Sequence, residues 1–410
     1  MSAMRTHLPA SFTRLALANL AAQSAEQVSL AATPIVAVLA LNAGPGEIGF
    51  LGAVQTLPFL LLSIPLGLTA DRMSRRQLLI GAEVLRASAL LAIILLLVGG
   101  GLSIGALATF GFAGAVGTVG FSVAAPALVP TLVSRDLLGV ANGRLELARS
   151  VAFAGGPALG GALVASAGAP TAFVLAALLS GSAIAVLFRI VEPVRPPHME
   201  RHPWTDIREG ARLVWRHHLL RPILLTAAAW NTAWFVLQAA YVPYAMRVLE
   251  LSAGGVGLTL AAYGVGMVIG ALIAPALLRR VHFGVAVLIG PLVSVLAAAT
   301  ILATIWWPRG VLAAAAFFLF GIGPMVWTIS STTLRQSLIP FSMLGRVSAI
   351  FLTVNAGARP AGAALGGFIG ARWGEPACLV MALCGFLLQA GFIVMSRVRV
   401  LKTLPSAALA

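Results

Sequence analysis

Twelve apolar runs, each long enough to cross a lipid bilayer, dominate this chain and leave room for few architectures. A span needs about 20 mostly apolar residues, because a helix rises about 1.5 Å per residue and the hydrocarbon core is about 30 Å thick. The runs fall at about 12–41, 47–70, 78–98, 103–128, 145–167, 171–190, 221–246, 255–278, 284–306, 310–333, 347–371 and 377–396. Only a helix satisfies its backbone polar groups within one such segment, so the pattern predicts an all-α membrane protein of twelve transmembrane helices. Charged side chains make up 10% of the residues, against about a quarter in soluble domains, which excludes a water-soluble globule. The first run is too long for a cleavable signal peptide and carries Asn19, Gln23 and Glu26 in its body, so the N-terminus is expected to be retained.

The net charge of +15 comes almost entirely from arginine, and its distribution decides its meaning. With the N-terminus inside, 21 basic residues fall in inner loops and tails. Only Arg247, Arg309 and Arg372 fall outside, and Arg86, Arg149 and Arg359 lie within spans. This is the positive-inside pattern of a membrane protein with both termini cytoplasmic. Because the charge is spread over every inner loop and is not gathered with aromatics on one face, nucleic acid is not an expected partner. The histidines show no ligand spacing, so no metal is expected. Cys378 and Cys384 share one apolar run and are read as packing. There is no HExxH, GxSxG or Walker loop, so neither an enzyme nor a cofactor is expected.

The longest polar segment, Val191 to His218, divides six runs from six. It predicts an N-terminal six-helix bundle (1–190), a cytoplasmic linker (191–220) and a C-terminal six-helix bundle with a short tail (221–410). After four linker prolines, Thr205 to His218 carries Arg208, Arg212 and Arg216 at i, i+4 spacing, as a helix on the inner membrane surface would. At an offset of 206, Gly156 matches Gly362, Leu159 matches Leu365, and Gly160 and Gly161 match Gly366 and Gly367. Runs five and eleven are therefore copies. Six helices per half give both copies the same membrane orientation, hence two pseudo-symmetric bundles about an axis along the membrane normal and a central substrate cavity.

Between runs two and three stands Gly67-Leu-Thr-Ala-Asp71-Arg72-Met-Ser-Arg75-Arg76. It resembles the signature loop of the major facilitator superfamily, and the duplicated twelve-span layout extends that resemblance over the whole chain. The resemblance implies that Gly67, Asp71, Arg72, Arg75 and Arg76 gate the exchange between inward and outward forms. A carboxylate flanked by arginines can pair with helix ends in one state and release in another. Plain positive-inside anchoring also explains the arginines, though not Asp71 or Gly67. The second half keeps Gly270 and Arg279-Arg280 at the equivalent place, without the aspartate.

Run five holds Gly143, Ala152, Gly156-Pro157 and Gly160-Gly161, similar to the antiporter motif of the superfamily with Ala152 replacing one glycine. The similarity implies an exporter; ordinary small-residue packing is the alternative. Run four lacks the arginine that proton-coupled relatives often carry. The loop from Pro130 to Gly143 and the segment Asp206 to Gly210 resemble the bacterial secretion-effector branch, which includes drug and enterobactin-type siderophore exporters.

Ionisable and amide groups within spans are the candidate site. Asn19, Gln23 and Glu26 share one face of run one, and Glu26 is the candidate for proton coupling or for a cationic substrate. A neutral Glu26 bonded to neighbouring helices is the alternative. Arg359, one turn after Asn355, could bind an anionic substrate, hold an acid such as Glu26, or form a structural pair. Asn231, Trp234, Gln238 and Tyr241 fall on one face of run seven and suit a cavity wall, although Tyr241 and Tyr244 could instead anchor at the membrane surface. Glu83 with Arg86 and Glu146 with Arg149 are i, i+3 pairs, read as local pairing near the interface and outside the substrate site. The expected function is secondary active efflux of a small amphipathic compound by alternating access and proton antiport. A lipid or lysolipid flippase, a solute importer and a non-transporting sensor are the alternatives. The expected partners are that small molecule, protons and the lipid bilayer, and the expected state is a monomer.

Overall fold

The computed structural model describes residues 8–133, 138–192, 203–339 and 344–404; the surroundings of Gly67, Asp71, Arg72 and Gly143 lie outside the described residues. The described residues form helices and no strand. In order they are α1 (Ala10–Leu41), α2 (Pro45–Arg72), α3 (Arg75–Val98), α4 (Ile104–Leu132), α5 (Leu138–Ala167), α6 (Ala169–Leu187) and α7 (Pro203–Arg216). There follow α8 (Leu220–Arg247), α9 (Ala253–Arg280), α10 (Phe283–Ala303), α11 (Gly310–Leu338), α12 (Leu344–Val394) and a short 3-10 turn, Arg397–Val400.

Eleven of these helices are long and apolar enough to cross a membrane. The apolar stretch of α12 has 45 residues, roughly 68 Å of helix and twice the thickness of a bilayer, so it cannot be one span. Gly374 breaks it with φ +79°, a conformation that an L side chain resists, and the break yields the eleventh and twelfth spans. Gly100 (φ +73°) likewise turns the chain between α3 and α4. Serine hydroxyls start several helices: Ser74, Ser103 and Ser252 accept from the backbone N–H groups of Gln77, Ala106 and Gly255. Prolines such as Pro34, Pro157 and Pro291 sit inside helices, as membrane spans permit.

The chain clusters into two compact units, one of Met1–Leu41 with Val54–Met199, the other of Asn42–Ala53 with Glu200–Ala410. The first turns of α2 thus cluster with the second unit although they precede the linker. In the first unit α1 packs on α5 and α6, and α3 packs on α4 and α6. Phe12, Leu15, Phe121, Leu128 and Leu187 form its buried centre. In the second, α8 packs on α12, α9 on α11, and α10 on both α11 and α12.

The duplicated glycines explain one packing in each unit. A methyl group at Gly160 of α5 would lie 2.9 Å from the Val28 carbonyl oxygen of α1, and one at Gly366 of α12 would lie 2.8 Å from that of Val236 on α8. Only glycine lets the helix backbones approach so closely. The linker helix α7 docks on the second unit through buried Val214, which clusters with Leu220, Phe283 and Val347, and leaves Arg208, Arg212 and Arg216 exposed.

Candidate functional site

The signature loop ends at the start of α3, where the backbone N–H groups are unpaired by helix geometry and attract a carboxylate. Glu192, the second residue of the linker, supplies it. Its Oε1 accepts from the N–H of Arg75 (3.1 Å), and its Oε2 accepts from the N–H of Arg76 (3.0 Å) and the Ser74 hydroxyl (2.6 Å). The Arg76 side chain donates to the carbonyls of Leu187 (3.2 Å) and Phe188 (2.6 Å) at the end of α6, and Arg75 to the Ala127 carbonyl of α4. These two arginines therefore clasp the ends of α4 and α6 within their own unit. Sequence reasoning missed Glu192; its position as the first acid after the sixth run was the available signal.

In α5, Gly156, Pro157, Gly160 and Gly161 are all buried. Gly156 closes on the Cβ of Gln27 and Gly160 on Val28, so the glycine run meets α1 at the turn that carries Glu26. The three polar residues on α1 separate in role. Asn19 is buried and donates to the Leu145 carbonyl of α5 (3.2 Å), which gives it a packing part. Gln23 and Glu26 are half-buried.

The first unit also holds a polar cluster deeper than its sequence suggested. Glu83 is fully buried, with Arg86 Nη1 2.5 Å from its Oε1. The same nitrogen donates to the Ala22 carbonyl of α1 (3.1 Å), and Nη2 donates to the Thr118 hydroxyl of α4 (2.8 Å). The pairing expected of these residues is present, but it lies inside the bundle.

In the second unit, α8 brings Asn231, Trp234 and Gln238 alongside the α12 helix that carries Asn355 and Arg359. Asn231, Gln238, Asn355 and Arg359 are half-buried. The Asn231 amide donates back to the Ala227 carbonyl of its own helix (2.9 Å). Trp234 is 8% exposed and stacks between Trp230 (5.4 Å) and Tyr263 (5.0 Å), with Phe317 and Phe320 edge-on. It is the centre of an aromatic packing. Tyr241 and Tyr244 are fully buried and reach the hydroxyls of Thr259 and Thr304, so they neither anchor at a membrane surface nor line an open wall. Cys378 is buried and donates to the Gly366 carbonyl (3.2 Å), whereas Cys384 is exposed.

Residues 15–363 match the sequence profile of the Major Facilitator Superfamily. Over 245 residues the chain is 29% identical to the enterobactin exporter EntS of Salmonella choleraesuis, covering 60% of this chain and 58% of that one. It is 30% identical to the enterobactin exporter EntS of Citrobacter koseri over 247 residues, with the same coverage. The match thus spans less than two thirds of these relatives' length. In fold the chain is similar to a bacterial homologue of the iron transporter ferroportin in its inward-facing state (TM-score 0.74, 18% identity, 96% of this chain and 99% of that one). It is also similar to the nucleoside transporter NupG (TM-score 0.74, 11% identity, 94% and 98%). The family and these neighbours are transporters and not enzymes. With its apolar helices, its duplicated glycine crossings and its signature loop, this chain belongs to the Major Facilitator Superfamily and is a multi-pass membrane transporter.

Proposed function

We propose that this transporter exports a small amphipathic compound, drug-like or a siderophore, in exchange for protons and by alternating access. The observation that carries the reading is the seat of Glu26. It lies half-buried in α1, on the turn over which Gly156 of the antiporter-like run closes. A half-buried carboxyl group beside a packed helix crossing is suited to taking up and releasing a proton as the crossing moves. Gln23 on the same face adds an amide.

On the substrate side, Arg359 and Asn355 of α12, with Asn231 and Gln238 of α8, offer one fixed cation and three amides to a hydroxylated or acidic compound. The stack around Trp234 holds the shape of that wall. Relatives named as enterobactin exporters support a catecholate siderophore as the most specific form of the proposal. In this reading the protein is a monomer in a bacterial inner membrane with both termini cytoplasmic. Residues 1–190 and 221–410 form its bundles, and the loop from Gly67 to Arg76 is its gate.

The test uses full-length protein in inverted vesicles with a pre-formed pH gradient, challenged with cationic dyes, tetracyclines and catecholate siderophores. One compound class is expected to dissipate the gradient in wild type and to do nothing in Glu26→Gln. Compounds moved without proton flux would replace antiport with a facilitator or flippase, and a Glu26→Gln variant that matches wild type would remove Glu26 from proton coupling.

A further inference from the structure

The corner between the linker helix α7 and the first span of the second unit, α8, turns on one residue that the transport reading leaves unused. The backbone N–H of His217 donates to the Leu213 carbonyl (3.0 Å) at the end of α7, and its own carbonyl accepts from the Arg221 N–H (3.1 Å) at the start of α8. Its ring closes the corner. Nδ1 accepts from the backbone N–H groups of Leu219 (3.2 Å) and Leu220 (3.4 Å), donors that the start of a helix leaves without a helical acceptor. His217 therefore caps α8 as an asparagine or a serine would, with one difference. An imidazole nitrogen accepts only while it is unprotonated, so the cap exists in the neutral ring and is abolished in the imidazolium, where both nitrogens donate.

We propose that His217 is a pH-sensitive joint: neutral, its ring ties the end of α7 to the first turn of α8, and protonation releases that tie. The surroundings act in the same direction. The ring of His218 lies flat against it, with centroids 5.1 Å apart and planes 5° from parallel, so a proton on one imidazole opposes a proton on the other. Arg216 and Arg221 flank it in sequence, both exposed, and Arg212 is exposed one turn earlier on α7. The helices packed on α7 bring no carboxylate to this corner: α8 has none, and the single one on α12, Glu375, follows the Gly374 break at the far end of the span. The first turn of α12 carries Arg346, whose side chain lies outside the described residues, and the tail after α12 adds Arg397, Arg399 and Lys402. On α7 itself, Asp206 and Glu209 stand two turns or more before His217. The positive end of the α8 dipole also disfavours an imidazolium. Partial burial, and after it the stacked His218, accordingly hold His217 below the usual histidine range. Because the folded value is the lower one, the cap contributes fully above about pH 6.5, the ordinary histidine value, and is lost as the pH falls below it. Acid on the linker side thus loosens the joint whatever compound is carried, and the inference stands apart from the antiport reading.

The experiment is hydrogen exchange of the full chain in lipid nanodiscs, followed by mass spectrometry at about pH 8 and about pH 5 and expressed as protection relative to the unstructured chain at each pH. In wild type the first turn of α8, Leu219 to Arg221, is expected to lose protection by roughly 2- to 30-fold in acid, the worth of a helix cap, while Leu224 to Ala228 deeper in the helix is unchanged. His217→Asn, whose amide oxygen caps at either pH, is expected to stay protected at both, and His218→Gln to keep the acid loss. His217→Ala, without an acceptor, is expected to show the acid level throughout. An acid loss that persists in His217→Asn or vanishes in His218→Gln would overturn the proposal, as would a wild type equally protected at both pH values. If His217→Asn does not fold, His217→Ala decides, since protection equal to wild type at the higher pH is equally fatal.

Discussion

Two ion pairs of the same make-up, a glutamate followed three residues later by an arginine, end in opposite surroundings. Glu83 and Arg86 have side chains 0% and 4% exposed, whereas Glu146 and Arg149 are 56% and 39% exposed. Spacing on a helix fixes that each pair can meet. It says nothing about depth, which is set by what lies opposite. Around α3 stand α4, α6 and the Ala22 carbonyl of α1, and they enclose the first pair. On α5 Arg149 lies on the same helical stripe as Gly156 and Gly160, seven and eleven residues before them, but there it rests over the ring of Phe153 and the pair stays exposed. The first pair is therefore part of the bundle interior, and the second adorns its surface.

The contrast predicts unequal sensitivities. The largest effect is expected from Arg86→Met, which strands a buried carboxylate and should destabilise the protein by about 3–5 kcal/mol. The SDS-unfolding midpoint in micelles measures this, and a variant within error of wild type would erase the distinction between the pairs. A middle effect tests the two faces of α5. Gly156→Ala places a methyl on Gln27 and should cost about 1–3 kcal/mol, while Gly155→Ala, with nothing within 4 Å, should be neutral or slightly stabilising. Equal losses at both positions would mean that the close crossing with α1 does not stabilise the bundle. The smallest effect is expected from Glu146→Gln, within about 1 kcal/mol in the same assay. A loss as large as that of Arg86→Met would show the second pair to be structurally equivalent to the first.

How much of this was written in the sequence follows from the same division. The spans could be read because a bilayer demands a fixed length of apolar helix, and the glycine copies because close crossings require small residues. Run ends shifted by a few residues: α4 continues to Leu132 and α11 to Leu338. What could not be read were partners supplied by distant segments. Asn19 looked like a cavity residue until the Leu145 carbonyl met it across 126 residues. Tyr241 and Tyr244 resembled surface anchors until Thr259 and Thr304 received their hydroxyls. Glu83 looked interfacial because Thr118 and Ser180 come from other helices. A helical wheel assigns a face but not what covers it, and polar side chains in a membrane are decided by their cover.

The carboxylate of Glu192 bears on how the molecule could be divided. By capping α3 it makes the first residues of the linker an integral part of the N-terminal unit. An engineer who wishes to produce the two halves from separate genes, for labelling or for complementation, should cut downstream of this glutamate. A break upstream of it would leave the first turn of α3 without its cap and the first fragment incomplete.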